Sequence, residues 1–277
     1  MTAAIVNGVL TPQHQKPVFD AISEDYDRIF THSILGNAQR SLIHEYLRCH
    51  LRKGQRILDL NCGTGEDAIY LASLGMSVLA CDISERMIEI ARRKTANSSH
   101  ASTIEFALCA NEHLESLARH GPFDCVLSNF GGLNCTADLA SVAQALSHLV
   151  RPGGEGFLCM LGRTCAWEIF WYSARMNWQK AFRRMMPGGT EARIREASFR
   201  VHYPSVRELQ RAFSPAFRLE SWRGIGIALP PSWLEPAFKG RPRLAGMLKH
   251  IDRCLGVLPV SRGLADHILF HFVRESQ

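Results

Sequence analysis

No apolar run in this 277-residue chain approaches the ~20 residues that a membrane-spanning helix needs. The opening stretch MTAAIVNGVLTPQHQK lacks the basic start, long apolar core and small-residue cleavage site of a secretory leader, so a cytoplasmic protein without a membrane partner is expected. The nine cysteines, Cys49, Cys62, Cys81, Cys109, Cys125, Cys135, Cys159, Cys165 and Cys254, form no CxxC pair. That removes the usual zinc and dithiol-redox frameworks, and no metal is expected. Several lie inside apolar runs, where a reduced thiol behaves as a small hydrophobe. Internal repeats and low-complexity tracts are absent as well, which excludes solenoids and disordered arrays.

Ordinary globular composition remains, with 46% apolar and 21% charged residues. The net charge of +6 is unevenly spread. Between Arg151 and Val260 there are 18 Arg and Lys against 8 Asp and Glu, leaving 14 against 18 elsewhere. A basic second half suits an acidic substrate or a nucleic acid, and equally a set of solvated arginine faces.

Two periodicities alternate through the first half. Apolar runs at Arg56–Leu60, Ser77–Cys81, Thr103–Leu108, Phe123–Ser128 and Gly156–Leu161 read as strands. Helical patterns separate them at Glu66–Leu74, at Ser84–Ala96 with Ser84 as its cap, from about Asn111, and at Asp138–Val150. Pro152-Gly153-Gly154 reads as the turn that ends the last of these helices. Strands and helices in this order build right-handed βαβ units and a parallel sheet covered on both faces. The second half is less regular. Trp167–Met186 has helical spacing, Ser198–Tyr203 reads as a strand, and Ser205–Phe213 as a helix. Phe217–Gly226 and Asp266–Val273 read as late strands, with a helix near Pro242–Cys254. Insertions at about Arg163–Glu196 and Ile227–Gly263 could fold over one end of the sheet.

The chemistry concentrates in Asp59-Leu60-Asn61-Cys62-Gly63-Thr64-Gly65-Glu66-Asp67, between a strand and a helix. Glycines there let the backbone turn tightly and approach a ligand. Asp82 closes the next strand about 20 residues on, where a carboxylate can accept both hydroxyls of a ribose. A dinucleotide fingerprint would carry a third glycine at the helix start. Glu66 and Asp67 stand there instead; they suit the helix dipole and repel a pyrophosphate. A phosphate-free adenosyl ligand is compatible with that start.

This run resembles motif I of the class I S-adenosylmethionine-dependent methyltransferases, a group that includes enzymes of ubiquinone and menaquinone biosynthesis type and other small-molecule enzymes. Cys81-Asp82-Ile83-Ser84 with Met87 resembles the family's second cofactor motif, Asp124 to Phe130 its fourth-strand motif, and Arg151-Pro152-Gly153-Gly154 its turn before strand five. The likeness runs with falling strength from about Val18 to Val273. It implies a Rossmann-like α/β three-layer sandwich with a mostly parallel seven-stranded sheet, the last strand antiparallel, and lid insertions. It divides the chain into residues 1–52, an N-terminal helical segment closing over the cofactor; 53–162, the cofactor-binding core; and 163–277, substrate lid insertions with the last two strands.

The resemblance assigns roles by position. Asp59, Gly63 and Gly65 shape the methionine end of the pocket. Asp82 holds the ribose, Ile83 and Met87 flank the adenine, and Ala110 and Asn111 edge it. Ser128 and Asn129 face the amino-acid part and the methyl group, while Phe19 and Tyr26 belong to the closing segment. Asn61 stands where most members have glycine, and Cys109-Ala110-Asn111 lacks the usual aspartate.

Methyl transfer is an in-line displacement that mainly needs alignment and exclusion of water, with a base only for a protonated acceptor. His202 and His32 are the first candidates for that base, ahead of His113 and His267. Asp266 and His267 open a late strand, where adjacent residues are expected to face opposite sides rather than share a site. Phe130, Trp167, Trp171 and Tyr203 could line an acceptor pocket, Gly131-Gly132 could admit its close approach, and Arg183-Arg184 could meet an acidic group. The expected activity is methylation of oxygen or nitrogen, less readily carbon, of a small-molecule acceptor, secondary metabolites included, by a monomer or homodimer. A nucleic-acid methyltransferase and a non-catalytic adenosylmethionine-binding protein are the alternatives; scattered basic residues without an RNA-binding module count against the first.

Overall fold

The structure is a computed structural model that describes residues 12–96, 98–194 and 197–276. Most of the opening stretch, residues 1–11, lies outside the described residues, as does Glu196 at the expected end of the first insertion. Two helices come first, α1 (Pro12–Tyr26) and α2 (Ile34–His50), the second capped by the Ser33 side chain, which accepts from the Gly36 amide.

The alternating half folds as β1 (Arg56–Leu60), α3 (Glu66–Ser73), β2 (Ser77–Asp82), α4 (Glu85–Ala96), β3 (Ile104–Leu108), β4 (Phe123–Ser128), α5 (Leu139–Leu149) and β5 (Val150–Leu161). The other half adds α6 (Ala166–Ser173), α7 (Trp178–Ala181), β6 (Thr190–Ile194), β7 (Ala197–Val201), α8 (Val206–Phe213), β8 (Phe217–Ile225), α9 (Glu235–Phe238), α10 (Pro242–Leu255) and β9 (His267–Arg274). Seven strands form one sheet in the order β3-β2-β1-β4-β5-β9-β8. The first five run parallel, and β9 is antiparallel to both β5 and β8. Strand order reverses between β1 and β4, which leaves a crevice beyond their carboxyl ends where α/β sheets take ligands.

Both faces of the sheet are covered, so its central strands are apolar almost throughout. Ile57 and Leu127 face a layer containing Leu35, Ile43 and Leu47 of α2 and Leu71 of α3. Leu58, Leu60 and Leu158 face the opposite layer, with Leu146 and Leu149 of α5 and Phe213 of α8. Six of the nine cysteines are buried, Cys62 is half-buried, Cys49 and Cys254 are exposed, and all are free thiols.

Four elements differ from the sequence reading. Pro152-Gly153-Gly154 does not separate helix from strand: β5 begins at Val150, and these residues bulge where the pairing jumps from Phe123–Val150 to Cys125–Glu155. The segment Asn111–His120 is 3₁₀ rather than α, interrupted at His113. The helix expected over Trp167–Met186 breaks into α6 and α7 at Met176, whose φ of 55° is left-handed. Finally, β6 escaped the reading; it pairs with β7 in a separate antiparallel hairpin.

The first insertion supplies β6 of that hairpin and ends before β7, and the hairpin reaches the crevice. The second packs elsewhere. Glu235 of α9 accepts the Ile34 and Leu35 amides at the start of α2 (2.7 and 2.9 Å), and buried Asp252 of α10 accepts those of Gly226, Ile227 and Ala228.

Candidate functional site

At the carboxyl ends of the parallel strands lies a cavity of about 330 Å³, at the lower end of the ~300–1,000 Å³ usual for small-ligand sites. Its floor comes from the strand ends: Asn61 and Gly63 after β1, Asp82, Ile83 and Met87 after β2, Asn111 after β3, and Asn129 to Gly132 after β4. Phe19 and Tyr26 of α1 close one side. The hairpin closes the other with Ala192, Phe199 and Val201, and Tyr203, just after it, and Arg183 join it there.

Asp82 is buried, and burial raises its pKa; the backbone N–H groups of Ser84 and Gly63 oppose that rise. Gly63 donates to one carboxylate oxygen at 3.0 Å and Ser84 to the other at 2.9 Å. The carboxylate is therefore fixed in orientation while still bordering the cavity. Gly63, at φ 54°, has open space where a side chain would stand, with Tyr26 the nearest atom at 3.9 Å. Burial pushes the Tyr26 hydroxyl up to about 12, so it stays protonated.

The acidic start of α3 is neutralised from within. Asp67 is buried and pairs with the Arg40 guanidinium, with His44 Nε2 at 2.6 Å and with the Asn129 amide at 3.1 Å. Burial opposes ionisation of Asp67, but Arg40 and His44 outweigh it and hold the carboxyl below its ordinary range. Arg40 also lies 4.7 Å from the Phe130 ring centroid, which places that ring in the wall. Glu66 pairs with Lys94 at 3.1 Å, and Lys94 also reaches Asp27 at 2.8 Å. Asp59, 1% exposed, has an Oδ2 with no hydrogen-bond partner; burial, then Asp67, raises its pKa well above normal.

Asn61, which stands where the motif it resembles has glycine, has a φ of 57° in the left-handed region, which asparagine tolerates. Its amide accepts from Ser128 Oγ at 3.0 Å and donates to Asn111 Oδ1 at 3.0 Å, while Asn111 donates to Thr136 Oγ1 at 2.9 Å. One side-chain network thus ties the ends of β1, β3 and β4 together. Asn61 occupies the space a side chain at Gly132 would need.

Of the residues singled out in the sequence, Tyr26, Asn61, Gly63, Asp82, Ile83, Met87, Asn111, Asn129, Phe130, Tyr203 and Phe19 come together around the cavity. Asp59, Gly65, Ala110 and Ser128 lie outside the lining: Ser128 bonds to Asn61, and Gly65 is packed where a Cβ would come within 2.9 Å of Ala91. His32 is exposed and away from the cavity. His202 is half-buried behind the wall residues Val201 and Tyr203; its backbone is bonded to Asn134, and burial lowers its pKa. Trp167 donates to the Ile227 carbonyl at 2.9 Å, and Trp171 packs on Trp233, so α6 turns both toward the second insertion. Arg184 is buried on Glu168 and Asp266, whereas Arg183 borders the cavity while bidentate to Glu168 (3.0 and 2.8 Å).

Sequence reasoning missed Arg40, Leu161, Glu191, Phe199 and Val201. The alternation in Thr190–Ile194 and Ala197–Val201, after Pro187-Gly188-Gly189, was a signal for the hairpin. Arg40 carried no signal, since only its burial against Asp67 marks it.

Residues 57–154 match the family model of a methyltransferase domain. The chain is 32% identical over 148 residues to a demethylmenaquinone methyltransferase of Clavibacter sepedonicus, covering 53% of this chain and 58% of that protein. It is 31% identical over 144 residues to a tRNA 5-carboxymethoxyuridine methyltransferase of Escherichia coli, covering 49% and 53%. The chain thus spans somewhat over half the length of these curated relatives. Its fold matches that of the CcbJ methyltransferase from Streptomyces caelestis with a TM-score of 0.62, covering 96% of this chain and 100% of that one at 14% identity.

Proposed function

We propose that this chain, a Rossmann-like protein with a methyltransferase domain of the class I S-adenosylmethionine-dependent type, methylates oxygen or nitrogen of a small, largely apolar acceptor held between the strand ends and the β6–β7 hairpin. The relatives differ in acceptor class, so the acceptor is argued from the cavity. One observation carries the reading: a buried, oriented carboxylate, Asp82, borders a cavity whose neighbouring cations are already engaged.

The residues fit the cofactor on that ground. Arg40 and Lys94 are committed to Asp67, Asp27 and Glu66, so these two cations at the start of α3 are not left for a diphosphate. Carboxylate, amide and apolar groups suit a nucleoside joined to an amino acid. Asp82 would hold the ribose, Ile83 and Met87 the adenine, and Asn111 its edge. Asn129 and the strand-one turn would hold the amino-acid part. Bound S-adenosylmethionine supplies a methyl group on a cationic sulfur.

The chain's own contribution is alignment and dryness. Phe19, Phe130, Leu161, Phe199 and Val201 wall the acceptor side with apolar surface and exclude water from the line of displacement. For a hydroxyl acceptor a base would be needed, and both histidines expected for that part, His202 and His32, stand outside the lining, so an acceptor that needs no base suits this cavity better. A nitrogen acceptor would need none.

Calorimetric titration with S-adenosylmethionine and its demethylated product tests the cofactor, and the same titration with NADH is the counter-test. Binding of the first two and not the third is expected. NADH binding in their place would overturn the reading.

A further inference from the structure

The segment between β5 and the hairpin, which borders the cavity through Arg183, turns an unusual surface outward. Phe170 is 70% exposed, Met176 80% and Trp178 58%, and Phe182 and Met186 are exposed too. Trp178 and Phe182 stack with ring centroids 6.5 Å apart, and Tyr172 continues the aromatic surface to Trp233 at 5.9 Å. Soluble proteins rarely leave large apolar side chains clustered in this way without a use for them.

The segment's own unspent charge is basic. Of its five basic residues, Arg163 is paired with Glu208, and Arg183 and Arg184 with Glu168 and Asp266, which leaves Arg175 and Lys180 on the surface. Glu168 is 1% exposed, locked between Arg183 and Arg184. Arg175 and Lys180 are exposed over the Trp171 and Tyr172 rings, 3.6 and 5.7 Å from their centroids. Aromatic and methionine side chains beside Arg and Lys, with no acid displayed by the same segment, match a lipid interface in which apolar groups enter the headgroup region and cations meet anionic lipid.

We infer that α6, α7 and the turn after them form a docking surface for an anionic lipid bilayer, which the chain meets peripherally. No helix among the described residues is long and apolar enough to cross a membrane. The inference does not depend on the acceptor or on methyl transfer. Its consequence is positional: Arg183, in the docking segment itself, borders the cavity, so docking brings one wall of the site to the membrane.

Co-sedimentation of the full chain with phosphatidylglycerol-rich vesicles, against pure phosphatidylcholine vesicles, tests it. Binding to the anionic vesicles, a blue shift of tryptophan emission and release by salt are expected. The double variant Trp178→Ala, Phe170→Ser should bind them at least about tenfold more weakly, with unchanged thermal unfolding and unchanged S-adenosylmethionine affinity. Failure to bind anionic vesicles, or equal binding by the variant, overturns the inference. So does a wild-type dimer that the variant converts to monomer, because the occupant would then be a second copy of the chain.

Discussion

Replacing Gly132 by alanine should reveal the packing on which the site floor rests. A Cβ there would fall on the Asn61 side chain, 2.5 Å from its Oδ1, a distance real Cβ atoms do not tolerate. Asn61 cannot simply swing away, because it is bonded to Ser128 on one side and Asn111 on the other. Overpacking of this kind costs about 1–3 kcal/mol. Asn61→Gly alone removes two side-chain hydrogen bonds worth about 1 kcal/mol each, and a glycine at left-handed φ offsets part of that. In the double variant the clash has no partner, so its cost should approach that of Asn61→Gly alone. The expected coupling between the two positions is about 1–3 kcal/mol, measured as a double-mutant cycle by urea unfolding with S-adenosylmethionine affinity read in parallel. Costs that add to within about 0.5 kcal/mol would refute the reasoning, because the Asn61 side chain would not then occupy the Gly132 space.

Other outcomes follow from the buried charges. Asp82→Ala should weaken binding of the demethylated cofactor about tenfold to a hundredfold by calorimetry, with the circular dichroism spectrum unchanged, since a charged hydrogen-bond acceptor is worth about 1.5–3 kcal/mol; an unchanged affinity would contradict the ribose assignment. Glu168→Gln removes the carboxylate that Arg183 and Arg184 share, leaving Arg184 buried with Asp266 as its remaining carboxylate partner. Because Asp266 still compensates Arg184, a loss of about 1.5–3 kcal/mol is expected in chemical denaturation, more than for the exposed ion-pair variant Arg163→Ala. Burial opposes ionisation of Glu168 and Asp266; Arg183 and Arg184 on the first, and His267 and Arg184 on the second, outweigh it and lower both pKa values. Their stabilisation is therefore present above the unfolded carboxylate pKa and lost as pH falls through the folded one, so Glu168→Gln and wild type should converge in stability in acid. Asp59 has the opposite sign. Its raised pKa means stability falls as pH rises from the ordinary carboxylate range through the folded value. Asp59→Asn should raise the melting temperature of the ligand-free protein at neutral pH, with the gain disappearing toward pH 4; a gain independent of pH would exclude the charge as its origin.

The comparison of sequence with structure divides along the range of the interactions involved. The parallel half was legible because β1, β2 and β4 bury both faces and so read as unbroken apolar runs, and because Ser84 and Asp138 mark helix starts by bonding backbone amides three residues on. The glycine turn and Asp82 were legible because backbone angle and strand-end position are local properties. The hairpin was legible in part: its second strand was read over Ser198–Tyr203, but the first, Thr190–Ile194, is short and polar and its partner among the described residues is Ala197–Val201, so its alternation went unread. The helix break at Met176 was equally hidden, as residues there have ordinary helical spacing.

By itself, then, the sequence determined the α/β class, the order of its units and the cofactor turn, because hydrophobic periodicity, glycine conformation and capping act within a few residues. Tertiary structure alone decided which charges are spent and which face the cavity. Arg40 reaches Asp67 and Glu168 gathers two arginines across the fold, Asn61 needs an empty Gly132 more than 70 positions away, and His32 ends in solvent while Phe199 joins the wall. Burial and Coulomb energies depend on distance in space, and chain connectivity does not reveal that distance.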